Sequence, residues 1–267
     1  MKNILITGCA GGMGFATCNL LLDKGYNVYG LDYKKPQEEF NWQFCMCDLT
    51  DMKSVKHAFE EISVQLDSSF DAIVHLAGKY DANSLIEISE DDFKGIFDIN
   101  VFAIYRVNKI FYPLLSKDGR IIITSSELAP LDPLPFTGIY AITKSTISKY
   151  VYSLRMELQL QGQKVIEIRP GDVSNGLLNI SQDRINNFVD NTKLYKISGK
   201  NFLDITNSIE AKSILPEKIA QLVYKILCWK NPKFVYKINR NILLLILNIL
   251  PCRMQTWIIK LILKDSK

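Results

Sequence analysis

Lys2–Gly14 reads KNILITGCAGGMG, and its two halves decide the fold. Lys2–Thr7 is a short, β-branched, apolar run, as expected of a parallel strand buried on both faces. The rest is a turn with Gly8, Gly12 and Gly14 spaced G-x-x-x-G-x-G. Glycine lets a backbone turn sharply and lets a pyrophosphate approach without a Cβ in the way. A helix beginning beside Gly14, predicted over Phe15–Lys24 and ending at Gly25, offers free N–H groups and a positive dipole end to phosphates.

Outward from this turn, strand and helix patterns alternate. Strands are predicted at Asn27–Leu31, Phe44–Cys47, Ala72–Leu76, Arg120–Thr124 and Lys164–Arg169. Helices are predicted at Ser54–Leu66, Asp91–Leu115 and Ile139–Gln161. Repeated βαβ units with right-handed crossovers predict an α/β, doubly wound parallel sheet of about seven strands in one domain over residues 1–267. Residues 175–215 break the rhythm: polar and weakly periodic, they read as an irregular lid or substrate loop.

Composition narrows the function. The chain has 267 residues, 48% hydrophobic and 22% charged, which excludes a disordered or collagenous chain. The net charge of +4 is too small to argue for nucleic acid. It is unevenly spread: Lys212–Lys267 carries eleven Lys/Arg against Glu217 and Asp265, a local +9 that leaves −5 elsewhere. Residues 240–267 read as two short apolar helices bordered by Arg240, Arg253, Lys260 and Lys264 with Trp257 among them. That pattern suits a peripheral membrane contact, or packing on its own domain or on a twin subunit. The six cysteines form no C-x-x-C pair and no ladder with His57 and His75, so neither a metal site nor a disulfide framework is expected and a reducing cytoplasm is. The N-terminus enters a strand within three residues, which predicts no signal peptide.

Three further features carry chemistry. Asp32 ends the second strand, where an acid accepts hydrogen bonds from ribose hydroxyls and repels a 2′-phosphate; this favours NAD over NADP, with Lys34 and Lys35 as counterweights. Tyr140 and Lys144 stand four apart on one helix face, where an ammonium lowers a phenol's pKa from about 10 and readies it for proton exchange. Ser125 and Ser126 follow the fifth strand, at the sheet edge where ligands bind.

Taken together, these residues resemble the short-chain dehydrogenase/reductase family. Its TGxxxGxG matches Thr7–Gly14, its cofactor acid Asp32, and its adenine-contacting acid Asp48 in Cys47-Asp48-Leu49. Its NNAG falls on His75-Leu76-Ala77-Gly78, keeping only the AG half. Its helical asparagine matches Asn100, its YxxxK Tyr140 and Lys144, and its PG turn Pro170-Gly171 ahead of Val173. Its serine falls on Ser126, with Ser125 as the other choice.

The resemblance implies cofactor contacts at Gly8, Gly12, Met13, Gly14, Asp32, Asp48, Leu49, Ala77, Gly78, Tyr140, Lys144, Pro170, Gly171 and Val173. It implies Tyr140 as acid/base, Lys144 as its helper, Ser126 as the group orienting substrate oxygen, and Asn100 as support for a proton-relaying water. It also implies a homodimer or homotetramer through the two long helices. The apolar stretch Leu128–Gly138, with Leu177, Leu178 and Ile180, favours a hydrophobic alcohol or ketone of the steroid, bile acid, retinoid or fatty-chain type. A nucleotide-sugar epimerase or dehydratase of related fold, and a non-catalytic NAD-binding sensor, are the alternatives.

Overall fold

The computed structural model describes residues 2–174, 180–209 and 213–264. One parallel sheet organises them. Its strands are β1 (Asn3–Thr7), β2 (Asn27–Asp32), β3 (Gln43–Met46), β4 (Phe70–His75), β5 (Leu115–Thr124), β6 (Lys164–Pro170) and β7 (Val235–Ile238). They lie in the order β3-β2-β1-β4-β5-β6-β7. The chain winds away from β1 in both directions, so the connections after β1 and β4 part and leave a crevice at their carboxyl ends.

Side chains alternate across the pleat and divide the core in two. Leu5, Ile73, Ile121 and Ile123 face α2 (Met52–Gln65), α4 (Ala103–Phe111) and α5 (Gly138–Leu158). Ile4, Ile6, Val74 and Ile122 face α1 (Gly12–Asp23) and α8 (Pro216–Cys228), whose Ile219, Val223 and Ile226 form one buried stripe. All these strand residues are at most 1% exposed, so each contributes about 1.5–3 kcal/mol of apolar burial.

Three expectations change. The single helix predicted over Asp91–Leu115 is α3 (Glu90–Phe97), a π-helical turn at Asp98–Phe102, α4 and a 3₁₀ turn at Tyr112–Leu114. Pro113 lacks the N–H needed to continue α4 and ends it. Residues 175–215 are not an irregular loop: α6 (Ile180–Asn191) and α7 (Lys196–Ile209) occupy most of them. Finally, β7 has four residues and no fully buried side chain, too short and too little buried for a strand period to stand out.

α6 and α7 are held by a third apolar cluster at the sheet's carboxyl edge. Phe136, from the segment between β5 and α5, stacks on Phe188 of α6 and meets Phe202 of α7 edge-on, with ring centroids 4.6 and 5.6 Å apart. Ala82, Ile185 and Leu263 complete the buried set. Leu263 belongs to α10 (Cys252–Leu263), which follows α9 (Ile242–Ile249), so the C-terminus packs in part on its own chain. The predicted pocket residues Leu177 and Leu178 lie outside the described residues.

Phe136 holds its place with φ +67°, in the left-handed region that costs a non-glycine residue about 1 kcal/mol. Phe136→Ala should therefore lose about 3–5 kcal/mol in urea denaturation, and Phe136→Gly about 1 kcal/mol less than that, because glycine keeps the cavity but drops the backbone cost. Equal losses would show that the conformation costs nothing.

Candidate active site

The crevice is built around Gly8. Its φ is +75°, its N–H donates to Leu31 O at 2.9 Å, and a Cβ there would lie 2.6 Å from Ala77 N. Glycine alone satisfies both demands, and the turn after β1 thereby touches the one after β4. Gly14 closes the turn from the other side, since a Cβ on it would lie 2.0 Å from Gly8 O. Thr7 joins the turns again: its carbonyl accepts from Leu76 N and its hydroxyl from Ala77 N, at 3.2 and 3.4 Å.

α1 begins at Gly12 with no side-chain cap and no acid in its first turn. Its leading N–H groups and dipole thus favour an anion. This glycine cradle and uncapped helix start fit the phosphates of a dinucleotide. Asp32, buried at the end of β2, accepts from Ala10 N at 3.0 Å and from Lys34 N at 3.3 Å, so the carboxylate that would meet a ribose also braces the glycine turn.

The other residues expected around a cofactor lie along the same carboxyl edge. Met13 is on the first turn of α1. Asp48 is exposed after β3, its Oδ1 accepting from Thr50 N at 2.8 Å, and Leu49 beside it is buried. Pro170 ends β6. A Cβ on Gly171 would lie 1.8 Å from Asn239 O, which ties that turn to the end of β7. Val173 pairs with Ile214.

The polar constellation stands where β4, β5, α5 and the π-helical turn meet. Asn100, fully buried in that turn, clamps Lys79: its Oδ1 accepts from Lys79 N at 2.8 Å and its Nδ2 donates to Lys79 O at 3.0 Å. The same Nδ2 reaches Thr143 Oγ1 on α5 at 3.1 Å. Gly78 leaves room for this, since a Cβ there would crowd Asn100 Oδ1 and Lys144 Nζ at 3.3 and 3.4 Å.

Lys144 is buried, with Nζ 5.4 Å from the centroid of the Tyr140 ring. The Ser126 hydroxyl stands beside the Tyr140 phenol and favours its ionised form. Ser125 turns away instead, donating to Glu167 Oε1 at 2.6 Å within a buried cluster with Arg169 and Ser148. The structure thus separates the two serines that the sequence leaves as alternatives.

The electrostatics correct one expectation. The Tyr140 pKa does not fall below its ordinary value here, even with Lys144 beside the ring. Burial pushes the phenol up to about 12 against the pull of the Ser126 hydroxyl, and the Glu127 carboxylate adds to the rise. Burial likewise holds Lys144 down near about 8.

His75 behaves as a packed strand residue. It is buried, bonded through Nε2 to Asn108 Oδ1 at 2.8 Å, and lowered to about 4 by burial, hence neutral at pH 7. Sequence reasoning missed Glu167, Thr143 and Tyr80, whose ring meets Tyr140 at 4.9 Å. Each acts through long-range neighbours and has no local motif.

A family model described as short chain dehydrogenase matches residues 2–184. The chain belongs to the short-chain dehydrogenase family. This makes it an NAD(P)-dependent oxidoreductase. The chain is 26% identical over 246 residues to the 3-ketodihydrosphingosine reductase of Bacteroides thetaiotaomicron, covering 88% of this chain and 87% of that protein. Among solved structures it resembles a short chain dehydrogenase family protein of Francisella tularensis, with a TM-score of 0.73 at 23% identity over 89% of this chain and 96% of that one. It also resembles the alcohol dehydrogenase of Thermococcus sibiricus complexed with 5-hydroxy-NADP, with a TM-score of 0.70 at 21% identity over 91% and 97% of the two chains.

In this dehydrogenase the buried lysine sets a pH signature. Its pKa is depressed in the fold, so the unfolded chain holds the extra proton between about pH 8 and the free lysine value near 10.5, and stability rises through that window. Lys144→Met should stabilise the cofactor-free protein by up to about 3 kcal/mol at pH 7, and the gain should fade as pH climbs to 10.5. Denaturation curves of both proteins across that range check this; a gain that does not change with pH would contradict it.

Proposed function

We propose that this oxidoreductase interconverts a hydrophobic ketone and its alcohol, with Tyr140 as the proton-transferring group, and that it prefers NAD. The observation that carries the reading is the meeting of Ser126, Tyr140 and Lys144 at the crevice edge, with Lys144 buried and its Nζ 5.4 Å from the centroid of the Tyr140 ring. A bound nicotinamide supplies the hydride donor or acceptor. Gly8, Gly12, Met13 and Gly14 would hold its phosphates, Asp32 the adenosine ribose, Asp48 and Leu49 the adenine side. Ala77, Gly78, Pro170, Gly171 and Val173 would line the nicotinamide side.

In the reducing direction Ser126 orients the carbonyl oxygen and Tyr140 donates its proton as the alkoxide forms. A phenol with a pKa of about 12 carries that proton at neutral pH. As the proton leaves, the Lys144 ammonium faces a new phenolate and stabilises it. Asn100, fixed by Lys79 and Thr143, supports a water path that restores the proton.

The hydrophobic substrate class rests on the apolar Phe136 cluster beside Tyr80 and Tyr140, and a long-chain keto or hydroxy compound accords with the relative named for 3-ketodihydrosphingosine. The exposed Phe102, Tyr105, Tyr152 and Met156 on α4, α5 and the turn before them suit pairing of two copies. We place the protein in the cytoplasm with peripheral membrane contact through its C-terminal helices. No helix among the described residues is long and apolar enough to cross a membrane.

Tyr140→Phe should cut kcat by a factor of about 10² to 10⁴ in a nicotinamide absorbance assay on long-chain ketones, while dinucleotide affinity in fluorescence titration stays within about twofold. Full turnover by that variant would end the assignment. NAD(H) should exceed NADP(H) in kcat/KM by about tenfold, and Asp32→Asn, which keeps an acceptor for Ala10 but drops the charge, should narrow the gap. An unchanged ratio would remove Asp32 from cofactor selection.

A further inference from the structure

α9 is eight residues long, ILLLILNI, and none of its residues is buried although seven are apolar. Ile242, Leu243, Ile246 and Ile249 are each more than half exposed, Ile249 at 82%. On α10 the angular order of side chains at 100° per residue separates three zones. Gln255, Ile259 and Leu263 turn inward, the first and last of them buried. Met254, Trp257 and Leu261 form an exposed apolar strip, with Trp257 at 63%. Arg253, Lys260 and Lys264 line the flank of that strip, all exposed.

Charge decides what fits such a face. From Lys218 to Lys264 the sequence has nine Lys/Arg and no acid. A second copy seated on the same face in a two-fold pair would set Arg253, Lys260 and Lys264 against their own image, three cations against the single carboxylate of Asp132 beside the face. An anionic bilayer answers both features: its headgroups meet the basic flank and its acyl boundary takes Trp257 and the aliphatic strips. At about 12 and 18 Å, α9 and α10 are too short to span a hydrocarbon core of roughly 30 Å, so they would lie in the interface.

The face is tied to the catalytic loop. Asn241 N donates to Glu127 Oε2 at 2.6 Å, Asp132 N to Asn248 Oδ1 at 2.7 Å, and Gln255 Nε2 to Asp132 Oδ2 at 3.4 Å. Glu127 and Asp132 belong to the segment that joins Ser126 to Tyr140. A pocket of about 550 Å³ lies between this segment at Pro130 and Leu131 and α9 at Leu245 and Ile249.

We infer that the exposed faces of α9 and α10 dock the protein on an anionic lipid surface, with the segment between Ser126 and Tyr140 held against it, so that the substrate is a bilayer-dissolved long-chain ketone or alcohol. The docking rests on this face alone; the substrate statement rests on the function proposed above.

The full-length protein is sedimented with vesicles of phosphatidylcholine alone and with phosphatidylglycerol added, and turnover is followed with a short water-soluble ketone and with a long-chain ketone carried in the vesicles. The protein should sediment with the anionic vesicles and be released by high salt. Arg253→Gln and Lys260→Gln should each weaken binding about fivefold. The pair Ile246→Ser and Trp257→Ser, both at exposed positions, should abolish binding and lower vesicle-borne turnover about tenfold, with thermal melting and turnover of the short ketone unchanged.

Failure to sediment with anionic vesicles would overturn the docking and leave the oxidoreductase reading standing. So would a loss of dimer in the Trp257→Ser variant, because a second copy would then occupy the face. Salt-sensitive vesicle binding without turnover of either ketone would support the docking and overturn the oxidoreductase reading instead. Vesicle binding with equal turnover of the long-chain ketone in parent and double variant would keep the docking and overturn its role in substrate delivery.

Discussion

Everything at the functional edge depends on how closely the turns after β1 and β4 approach. Gly8 lies so near Ala77 that no side chain can stand between them. The strand order makes this the place where connections diverge and a crevice opens. The contact at its base brings the uncapped start of α1 and the Ala77–Gly78 turn into one cleft. Gly78 in turn gives Asn100 and Lys144 their room. A few missing β-carbons thus connect sheet topology to the position of the polar side chains.

The second constraint is desolvation. Tyr140 and Lys144 are both driven towards their neutral forms by burial, in opposite directions on the pH scale. A lysine near 8 keeps its charge at neutral pH at some cost to the fold, and in the proposed chemistry that charge would stabilise a phenolate when a proton leaves. The Ser125–Glu167–Arg169 cluster beneath turns one serine away and leaves the next beside the tyrosine.

The sheet was legible because its strands are apolar runs closed by turn residues, and the cofactor edge was legible because glycine spacing carries backbone geometry directly. What escaped depended on distant contacts. α6 and α7 look weakly amphipathic in sequence because their buried side chains meet Phe136 and Leu263, far along the chain. The π-helical turn that aims Asn100 inward has no local signature in DINVF. The choice between Ser125 and Ser126 needed Glu167, 42 residues beyond Ser125. The expected lowering of the Tyr140 pKa failed because burial of the phenol, which depends on distant packing, outweighs it.

In the proposed reaction the Tyr140 phenol hands a proton to the oxygen on the carbon that exchanges hydride. A crystal structure of the protein with NAD and a long-chain alcohol tests it most directly. The phenolic oxygen should lie within about 2.6–3.2 Å of the substrate oxygen, with Ser126 on the same atom and the carbinol carbon facing the nicotinamide. A substrate oxygen held by other groups, with the Tyr140 ring outside hydrogen-bonding reach, would contradict it.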